Sequence, residues 1–264
     1  MVSAADTRIS LHVEVLPDLD GWELEDDITM PEAPWHRDVC THLESCLRAW
    51  TRRRGIDAQV GCNIALRWVR ARPKVGVDPD VYLVQPAPPG GKRTKSLCTW
   101  KPGHHAPRIV VEVVSEDDRG KDYDDAPAKY AMSGVSELWV FDPEGHGPRR
   151  EPGAPFALQV WRRDPAGGFG RAYAGPGPAR SEELDAWLHP NRSALHIADD
   201  REGVQRWPTE AEAERERAET ERERAETERE RAETERARAE QAEARARALE
   251  AEIAALRASL TARG

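Results

Sequence analysis

A glutamate lies in the middle of the most strongly β-forming run of this chain. Residues 109–114 read IVVEVV, and β-branched runs of this kind form strands that are buried on both faces of a sheet. Glu112 interrupts the run. An ionised carboxylate that is cut off from water is unstable unless a partner or a metal ion compensates its charge. The pattern therefore predicts a buried strand and a specific group that meets Glu112.

A second acid precedes an earlier apolar run. Asp80 opens the segment DVYLV at 80–84, and one loop separates this segment from the strand of Glu112. Two carboxylates on adjacent strands can hold a hard divalent ion such as Mg²⁺, and they leave coordination positions for water and a phosphate. The two acids together predict a metal site.

Each of these acids also has an ordinary structural explanation. Aspartate is common in turns, and this accounts for Asp80 after its proline and equally for Asp78. Glu112 could reach solvent at a strand end, or form a salt bridge with Arg108 or Arg119. Acids in unusual positions mark functional sites only statistically. The pattern by itself leaves both interpretations open.

Periodicity predicts a mixed sheet flanked by helices. The predicted elements are a helix at 35–50 that stops at Gly55, a long strand at 60–68, a short strand within VDPDVYLV at 77–84, a strand at 109–114, a helix that ends at Gly134, strands at 137–142 and from 156, and a short helix from 182. The segment 86–107 is predicted to be a long loop. The order helix, three strands, helix, strand indicates an α/β (α+β) fold.

Past Pro208 the sequence becomes a charged heptad repeat. The heptad AETERER begins at 218 and 225 and returns in degraded form at 232. If its alanines occupy position a, Ile253 and Leu260 continue that position and Leu249 and Leu256 fall on position d. The earlier d positions are glutamates, which predicts a solvated rod. We expect a long helix whose tip, and not its shaft, associates with a second copy or with a partner protein.

Composition excludes several classes of protein. The net charge of −9 argues against a general nucleic-acid coat, although basic patches occur at 52–54 and 92–101. No run of the roughly 18 apolar residues that a membrane span needs is present. The four cysteines have no paired spacing and no secretory signal precedes them, which indicates reduced thiols in the cytoplasm.

His36, Cys40 and His42 lie close together in the predicted first helix. Only His36 and Cys40 share a helix face, and no second pair completes a tetrahedral zinc site. A core cysteine and a capping or surface histidine are therefore the preferred interpretation.

Three segments form a recognisable set. PDVYLV, RIVVEVVSEDDRGKDY and KYAMSGVSELWVFDP, in this order and spacing, resemble the Uma2 family of bacterial endonucleases, a branch of the PD-(D/E)XK nuclease superfamily. The resemblance covers residues 20–207, with GWELEDDITMPEAPWH near its start and SEELDAWL towards its end. It implies the restriction-endonuclease-like fold, a mixed β-sheet flanked by helices whose core has the element order given above.

The resemblance implies roles for individual residues. Asp80 and Glu112 match the aspartate and the glutamate of the family motif, both as metal ligands. The superfamily's lysine two residues after the glutamate is absent, because Val114 occupies that position. In Uma2-like sequences the lysine lies on the following helix, and this assigns its role to Lys129, with Lys121 as the substitute.

The implied activity is metal-assisted hydrolysis of phosphodiester bonds, with Mg²⁺ or Mn²⁺ as cofactor and nucleic acid, DNA rather than RNA, as substrate. The lysine would orient the attacking water or add positive charge where the transition state needs it. Glu23 matches a glutamate of the family's opening motif and would assist. His36 would line the site.

The sequence therefore predicts two domains. Residues 1–207 form a Uma2-like PD-(D/E)XK nuclease domain, and residues 208–264 form a charged heptad-repeat helix or coiled coil. The predicted protein is a cytoplasmic, Mg²⁺-dependent endonuclease whose tail forms a homodimer or binds a partner protein. The alternative is a catalytically inactive nuclease-like scaffold that acts as a coiled-coil interaction protein, which the valine at 114 and the acidic charge favour.

Overall fold

The structure is a computed structural model that describes residues 19, 22–24, 33–115, 123, 125–146 and 157–261. It divides into two compact units, residues 1–210 and residues 211–264. Within the described residues the α-helices are α1 (Pro34–Arg54), α2 (Ala126–Ser133) and α3 (Glu210–Thr261). The strands are β1 (Gln59–Gly61), β2 (Ala65–Arg67), β3 (Gly76–Val77), β4 (Val81–Val84), β5 (Ser96–Cys98), β6 (Ile109–Val113), β7 (Glu137–Phe141), β8 (Leu158–Arg163), β9 (Phe169–Gly175), β10 (Ala179–Ser181), β11 (Ala186–Pro190) and β12 (Leu195–Ala198).

A six-stranded mixed sheet forms the centre of the first unit. Its strand order is β1-β4-β6-β7-β8-β9. Strands β6 and β7 run parallel, and the other neighbouring pairs are antiparallel. Parallel neighbours need a crossover connection, and α2 lies in the connection between β6 and β7. The predicted fold class, a mixed sheet flanked by helices together with a long C-terminal helix, is confirmed.

Strand β6 contributes to two separate apolar cores. Val111 and Val113 pack on the side of α1 and of the small sheet β10-β11-β12, whereas Val110 and Val114 pack with Tyr130 of α2. Both faces of the strand are buried, which explains its continuous β-branched sequence. Because side chains alternate along a strand, Glu112 points to the same side as Val110 and Val114, towards α2.

The predicted single strand at 60–68 is wrong. Strand β1 ends at Gly61, and the chain turns through Asn63, whose φ is 52°, before β2 begins. Asparagine is one of the few residues that tolerate a positive φ. Strand β2 then leaves the main sheet and pairs with β3 and β5. Strand β5 lies inside the segment that was predicted to be a loop, because its partner is supplied by β2 and not by a sequence neighbour.

The predicted short helix from 182 is also wrong. Residues 182–185 form a turn and the next five residues form β11, which pairs with β10 and β12. Asp185 has a φ of 53°, which a helix does not allow. Ala186 and Leu188 alternate into the core, so strand packing prevails over the helix propensity of EELDAWL.

The other two predicted helices of the first unit are confirmed. Helix α1 ends with its basic turn and with Gly55 in the left-handed conformation at φ 63°, as the sequence indicated. Helix α2 ends at Gly134, whose φ is 87°. Both glycines occupy a backbone conformation that side chains with a Cβ rarely adopt.

The second unit is the single helix α3. Thr220, Thr227 and Thr234, which recur with the heptad, each donate a hydrogen bond from Oγ1 to the carbonyl four residues earlier, at 2.9, 2.9 and 2.8 Å. Apart from Glu210 and Ala213, which are half-buried, the side chains of this helix are exposed as far as they are described. In the described part of the chain, no helix combines the length and the apolar character needed to cross a membrane.

Candidate active site

The carboxylate of Asp80 is fixed against the end of β6. Asp80 lies directly before β4, and its Oδ2 accepts a hydrogen bond from the backbone N–H of Val113 at 2.7 Å. The carbonyl of the preceding Pro79 accepts a hydrogen bond from Asn63 N–H at 3.0 Å. The Asp80 side chain is 18% exposed, so its carboxylate remains accessible to solvent. Its second oxygen, Oδ1, receives no hydrogen bond from the described residues.

Glu112 is buried and meets a phenol. Its exposure is 2%, and its Oε1 accepts a hydrogen bond from the hydroxyl of Tyr130 on α2. Burial raises the pKa of Tyr130 well above its ordinary value, and the negative charge of Glu112 raises it further. The hydroxyl therefore keeps its proton at neutral pH and acts as the donor.

The two acids lie on neighbouring antiparallel strands. Val81 of β4 pairs with Val111 of β6, and one further step along this register brings Asp80 opposite Glu112. After the larger effect of burial, the charges of Glu112, Asp80 and Asp78 all raise the pKa of Tyr130. Three carboxylates are thus close enough to act on one buried hydroxyl.

His36 belongs to the same cluster. It lies in the first turn of α1, and its Nε2 is 3.2 Å from Asp80 Oδ2 and 3.1 Å from the carbonyl oxygen of Val113. With the proton on Nε2, the ring donates to the side chain of Asp80 and to the backbone of β6. The structure thus brings His36 to the acid it was expected to accompany.

Cys40 follows His36 by one helical turn and contacts its other ring nitrogen. The Cys40 sulfur is 3.7 Å from His36 Nδ1. The interpretation of His36 as a capping or surface residue is wrong, because the ring is 7% exposed and hydrogen-bonded across to β6. His36, Cys40 and Asp80 each offer one potential ligand atom, and these atoms lie within 4.8 Å of one another.

Position 114, where the superfamily carries its lysine, belongs to the apolar core in this chain. Val114 is completely buried in the cluster that also contains Tyr130, so its site has no room for a charged side chain that must reach solvent. Lys129 is half-buried on α2, next in sequence to Tyr130. Its Nζ lies over the ring of Trp22, 5.8 Å from the centroid. The catalytic role of Lys129 stays a prediction.

Several other candidates occupy different surroundings. Arg108, the alternative partner of Glu112, instead donates hydrogen bonds to Glu183 and to Gln85. Glu23 is exposed and forms an ion pair with Arg72 at 2.9 Å, beside a bridge from Glu23 to Val75. Lys121 and Arg119 lie outside the described residues.

The donor set fits a hard divalent cation. Such ions prefer carboxylate oxygens. Oδ1 of Asp80 accepts no hydrogen bond from the described residues and can therefore bind an ion. Glu112 lies opposite Asp80 on the neighbouring strand. The concentration of negative charge around Tyr130 is also what a bound cation would neutralise.

Tyr130 is the site residue that sequence reasoning missed. A weak signal was present, since Tyr130 follows Ala126 by one helical turn on the inward face of α2, where an aromatic residue is normally a core residue. Nothing in the local pattern indicates that its hydroxyl meets an acid 18 residues earlier in the chain.

The fold and the site together define a mixed α/β protein with a pair of carboxylates on neighbouring strands of its main sheet. Residues 21–147 match the model of the Uma2 family, which is described as "Putative restriction endonuclease". The resemblance predicted from the motifs is confirmed, and the matched segment contains Asp80, Glu112 and Lys129.

The solved structures that are similar to this chain include a "putative nuclease belonging to DUF820" from Anabaena variabilis ATCC 29413. The identity is 14% and the TM-score is 0.40, over 59% of this chain and 76% of that chain. A comparison with curated proteins gives no match.

Proposed function

We propose that this protein is a metal-dependent endonuclease that hydrolyses phosphodiester bonds of nucleic acid, DNA rather than RNA. The observation that carries the proposal is the register of β4 and β6, whose next step brings Asp80, directly before β4, opposite Glu112. Both acids lie within the segment matched by a family of "Putative restriction endonuclease" description. Two carboxylates on rigid neighbouring strands are a suitable cage for a hard cation.

Asp80 and Glu112 would hold Mg²⁺, for which Mn²⁺ can substitute. When bound, such an ion lowers the pKa of a coordinated water and neutralises charge on phosphoryl oxygens. The chain's own residues keep the two acids in place. The Val113 N–H and His36 hold Oδ2 of Asp80, which leaves Oδ1 for the ion, and Tyr130 orients the carboxylate of Glu112.

Lys129 is the proposed source of positive charge for the reaction. It would orient the attacking water or stabilise charge on the phosphate, the role that the superfamily gives to a lysine after the glutamate. Two observations support it. Val114 leaves no space for a lysine in its own position, and α2 carries Lys129 on the element whose Tyr130 already contacts Glu112.

A cytoplasmic setting is part of the proposal. All four cysteines are within the described residues and none forms a disulfide. Free thiols are typical of reducing compartments.

A direct test of the function is cleavage of supercoiled DNA by the purified full chain. We expect conversion to open and linear forms with Mg²⁺ or Mn²⁺, and none with excess EDTA, because the acids alone cannot activate water. The same titration with RNA and with single-stranded DNA identifies the preferred substrate. Absence of cleavage and of any thermal stabilisation by either ion would favour the inactive scaffold, since an ion that binds the native state must stabilise it.

The tail is proposed to form a homodimer through its tip. Leu249 and Ile253 are 53% and 48% exposed, which is unusual for large apolar side chains on a helix that is otherwise charged. Their spacing places them on positions d and a of the heptad. Two such tips can bury these side chains against each other, and two nuclease sites in one dimer would suit cleavage of both strands.

Substitution of Ile253 tests this association. We expect Ile253→Glu to weaken the dimer by at least about 100-fold, because each buried isoleucine contributes about 1.5 to 3 kcal/mol and the dimer contains two. Sedimentation equilibrium measures the change. Ala225→Glu adds the same charge at the same heptad position in the shaft and should leave the dimer intact. A monomeric wild type, or equal effects of the two variants, would contradict the prediction.

A further inference from the structure

A pocket lies at one edge of the main sheet, beside its end strand β1. It has a volume of about 300 Å³ and is lined by residues of the C-terminal half of α1, of β1 and of the segment 87–92 that follows β4. Sites for small ligands have volumes of about 300 to 1,000 Å³. The pocket is therefore large enough for a small ligand, at the lower end of that range.

All charged side chains that line this pocket are cations. Arg48 and Arg52 come from α1, and Lys92 comes from the segment between β4 and β5. The chain has 48 acidic residues against 39 lysines and arginines, but no acidic residue is among the described residues that line the pocket. The fold thus brings the basic segments 52–54 and 92–101, which are separate in the sequence, to one place.

Lys92 has no structural partner that accounts for its charge. Its side chain is exposed and makes no hydrogen bond or ion pair with a described residue. The two arginines are paired, Arg48 with Glu44 and Arg52 with Glu210, each at 2.6 Å from Nη2. A guanidinium has five N–H donors, so each arginine keeps donors that an anion can accept from.

Gln59 adds a buried polar group to the lining. It is 8% exposed, and its Nε2 donates a hydrogen bond to the hydroxyl of Tyr82 at 2.6 Å. Oε1 of Gln59 has no hydrogen-bond partner among the described residues. Burial raises the pKa of Tyr82, so its hydroxyl keeps its proton and can itself donate. If the amide turns over, Oε1 accepts from Tyr82 and Nε2 is left to donate to an anion.

We propose that this pocket is a phosphate-binding site, and that it holds a phosphate group of the nucleic-acid strand at a distance from the bond that is cut. The identity of the strand rests on the proposed function. Phosphate oxygens accept hydrogen bonds and carry negative charge, and they are bound by lysine, arginine and amide N–H groups. The lining of the pocket supplies all three kinds of donor and no opposing acid.

The pocket lies within reach of a strand that is bound at Asp80. Gln59 pairs with Val84, four residues after Asp80, which is about 13 Å along β4 at about 3.3 Å per residue. One strand of duplex DNA advances about 3.4 Å per nucleotide, so the bound phosphate is about four nucleotides from the cleaved bond. Phosphate contacts of this kind fix the position of a substrate and carry no sequence information.

The test is DNA binding by the full-length protein in EDTA, measured as the fluorescence anisotropy of a short labelled duplex at several salt concentrations. We expect Lys92→Ala to weaken binding by about tenfold, the effect of one lost hydrogen bond to a charged group. It should also lower the slope of log K against log salt by about one. Lys92→Arg keeps the charge and should bind as the wild type does.

Arg192→Ala is the matched control. Arg192 is exposed in the turn between β11 and β12 and does not line the pocket, so its loss removes the same charge elsewhere. It should leave the affinity and the salt slope unchanged. Thermal unfolding checks that each variant is folded, which is expected because both side chains are exposed. Equal affinity of the wild type and Lys92→Ala, or equal losses in Lys92→Ala and Arg192→Ala, would overturn the proposal.

Calorimetry with inorganic phosphate distinguishes a strand phosphate from a free anion. Loss of DNA affinity in Lys92→Ala supports the strand phosphate. If Lys92→Ala abolishes the binding of inorganic phosphate and leaves DNA affinity unchanged, the pocket takes a free anion and the nucleic-acid assignment is overturned. A wild type that binds neither inorganic phosphate nor DNA overturns the phosphate site itself.

The phosphate site and the proposed function can fail separately. A wild type that binds DNA through Lys92 but cleaves none in Mg²⁺ disproves the nuclease and leaves the phosphate site. A wild type that cleaves, with Lys92→Ala equal to it in binding and in cleavage, disproves the phosphate site and leaves the nuclease. Where cleavage occurs, a neutral methylphosphonate placed about four nucleotides from the cut should weaken binding to the wild type and have no further effect on Lys92→Ala.

Discussion

We expect Asp80→Asn and Glu112→Gln each to lower Mg²⁺-dependent cleavage by at least about 1,000-fold, which corresponds to about 4 kcal/mol of lost transition-state stabilisation. Both substitutions keep the size of the side chain and remove its charge. A divalent ion then loses one of two carboxylate ligands, and a charged phosphate loses the cation that neutralises it. The rate of nicking of supercoiled DNA under single-turnover conditions measures the effect.

Asp38→Asn supplies the matched control. Asp38 lies on the exposed surface of α1, two residues from His36, so its loss changes the charge of the same helix without touching the acids. It should cleave at the wild-type rate. Calorimetry with Mn²⁺ should show binding to the wild type and to Asp38→Asn, and weak or no binding to the two site variants. Cleavage that persists in an Asp80→Asn, Glu112→Gln double variant would disprove the proposed site.

Lys129→Met should lower the cleavage rate by about 100- to 1,000-fold, the effect of removing one group that stabilises transition-state charge. The substitution keeps the approximate length of the side chain but removes the charge that lies over the ring of Trp22. Loss of the cation–π contact costs only about 0.5 to 1 kcal/mol, so the protein should remain folded. Cleavage rate and urea unfolding, measured on the same preparation, separate the two effects.

Tyr130→Phe is the contrasting variant on the same helix. It removes one hydroxyl from a fully buried ring and leaves Glu112 without that donor. We expect it to lower the free energy of unfolding by about 1 to 3 kcal/mol, the cost of removing one hydrogen-bond donor from a buried acceptor. If Tyr130→Phe abolished cleavage while Lys129→Met did not, the tyrosine, and not the lysine, would be the functional group that α2 supplies.

Local patterns identified much of the fold. The apolar stripe and the glycine stop of α1, the β-branched run of β6 and the Gly134 end of α2 depend on neighbours within one or two turns of chain. The charged heptads of α3 were equally readable, since their exposed side chains need no partner to define a helix. In each case the deciding interactions are short-range.

The errors occurred where distant partners compete with local preference. EELDAWL has a helical composition, but residues 186–190 gain two strand neighbours and become β11. The apparent strand at 60–68 breaks at Asn63, and β5 exists because β2 pairs with it across a gap of some thirty residues, a crossover that no local pattern encodes.

The site divides in the same way. The sequence alone identified Asp80 and Glu112 as candidate site residues, because Asp80 follows a proline directly before an apolar run and Glu112 interrupts an apolar strand. The sequence could not identify the groups that contact these acids, because His36 is 44 residues from Asp80 along the chain and Tyr130 is 18 residues from Glu112. Cys40 could not be related to an acid until α1 was packed against β4 and β6.

The amino-acid sequence by itself determined the identity of the main helices and strands, the position of two acids in an apolar setting and the charged rod at the C-terminus. Tertiary structure alone decided the order of the strands and the neighbours of each acid. The physical reason is that periodicity and capping act over a few residues, whereas the partner of a buried carboxylate is whatever group the packing of sheet and helices brings within hydrogen-bond distance.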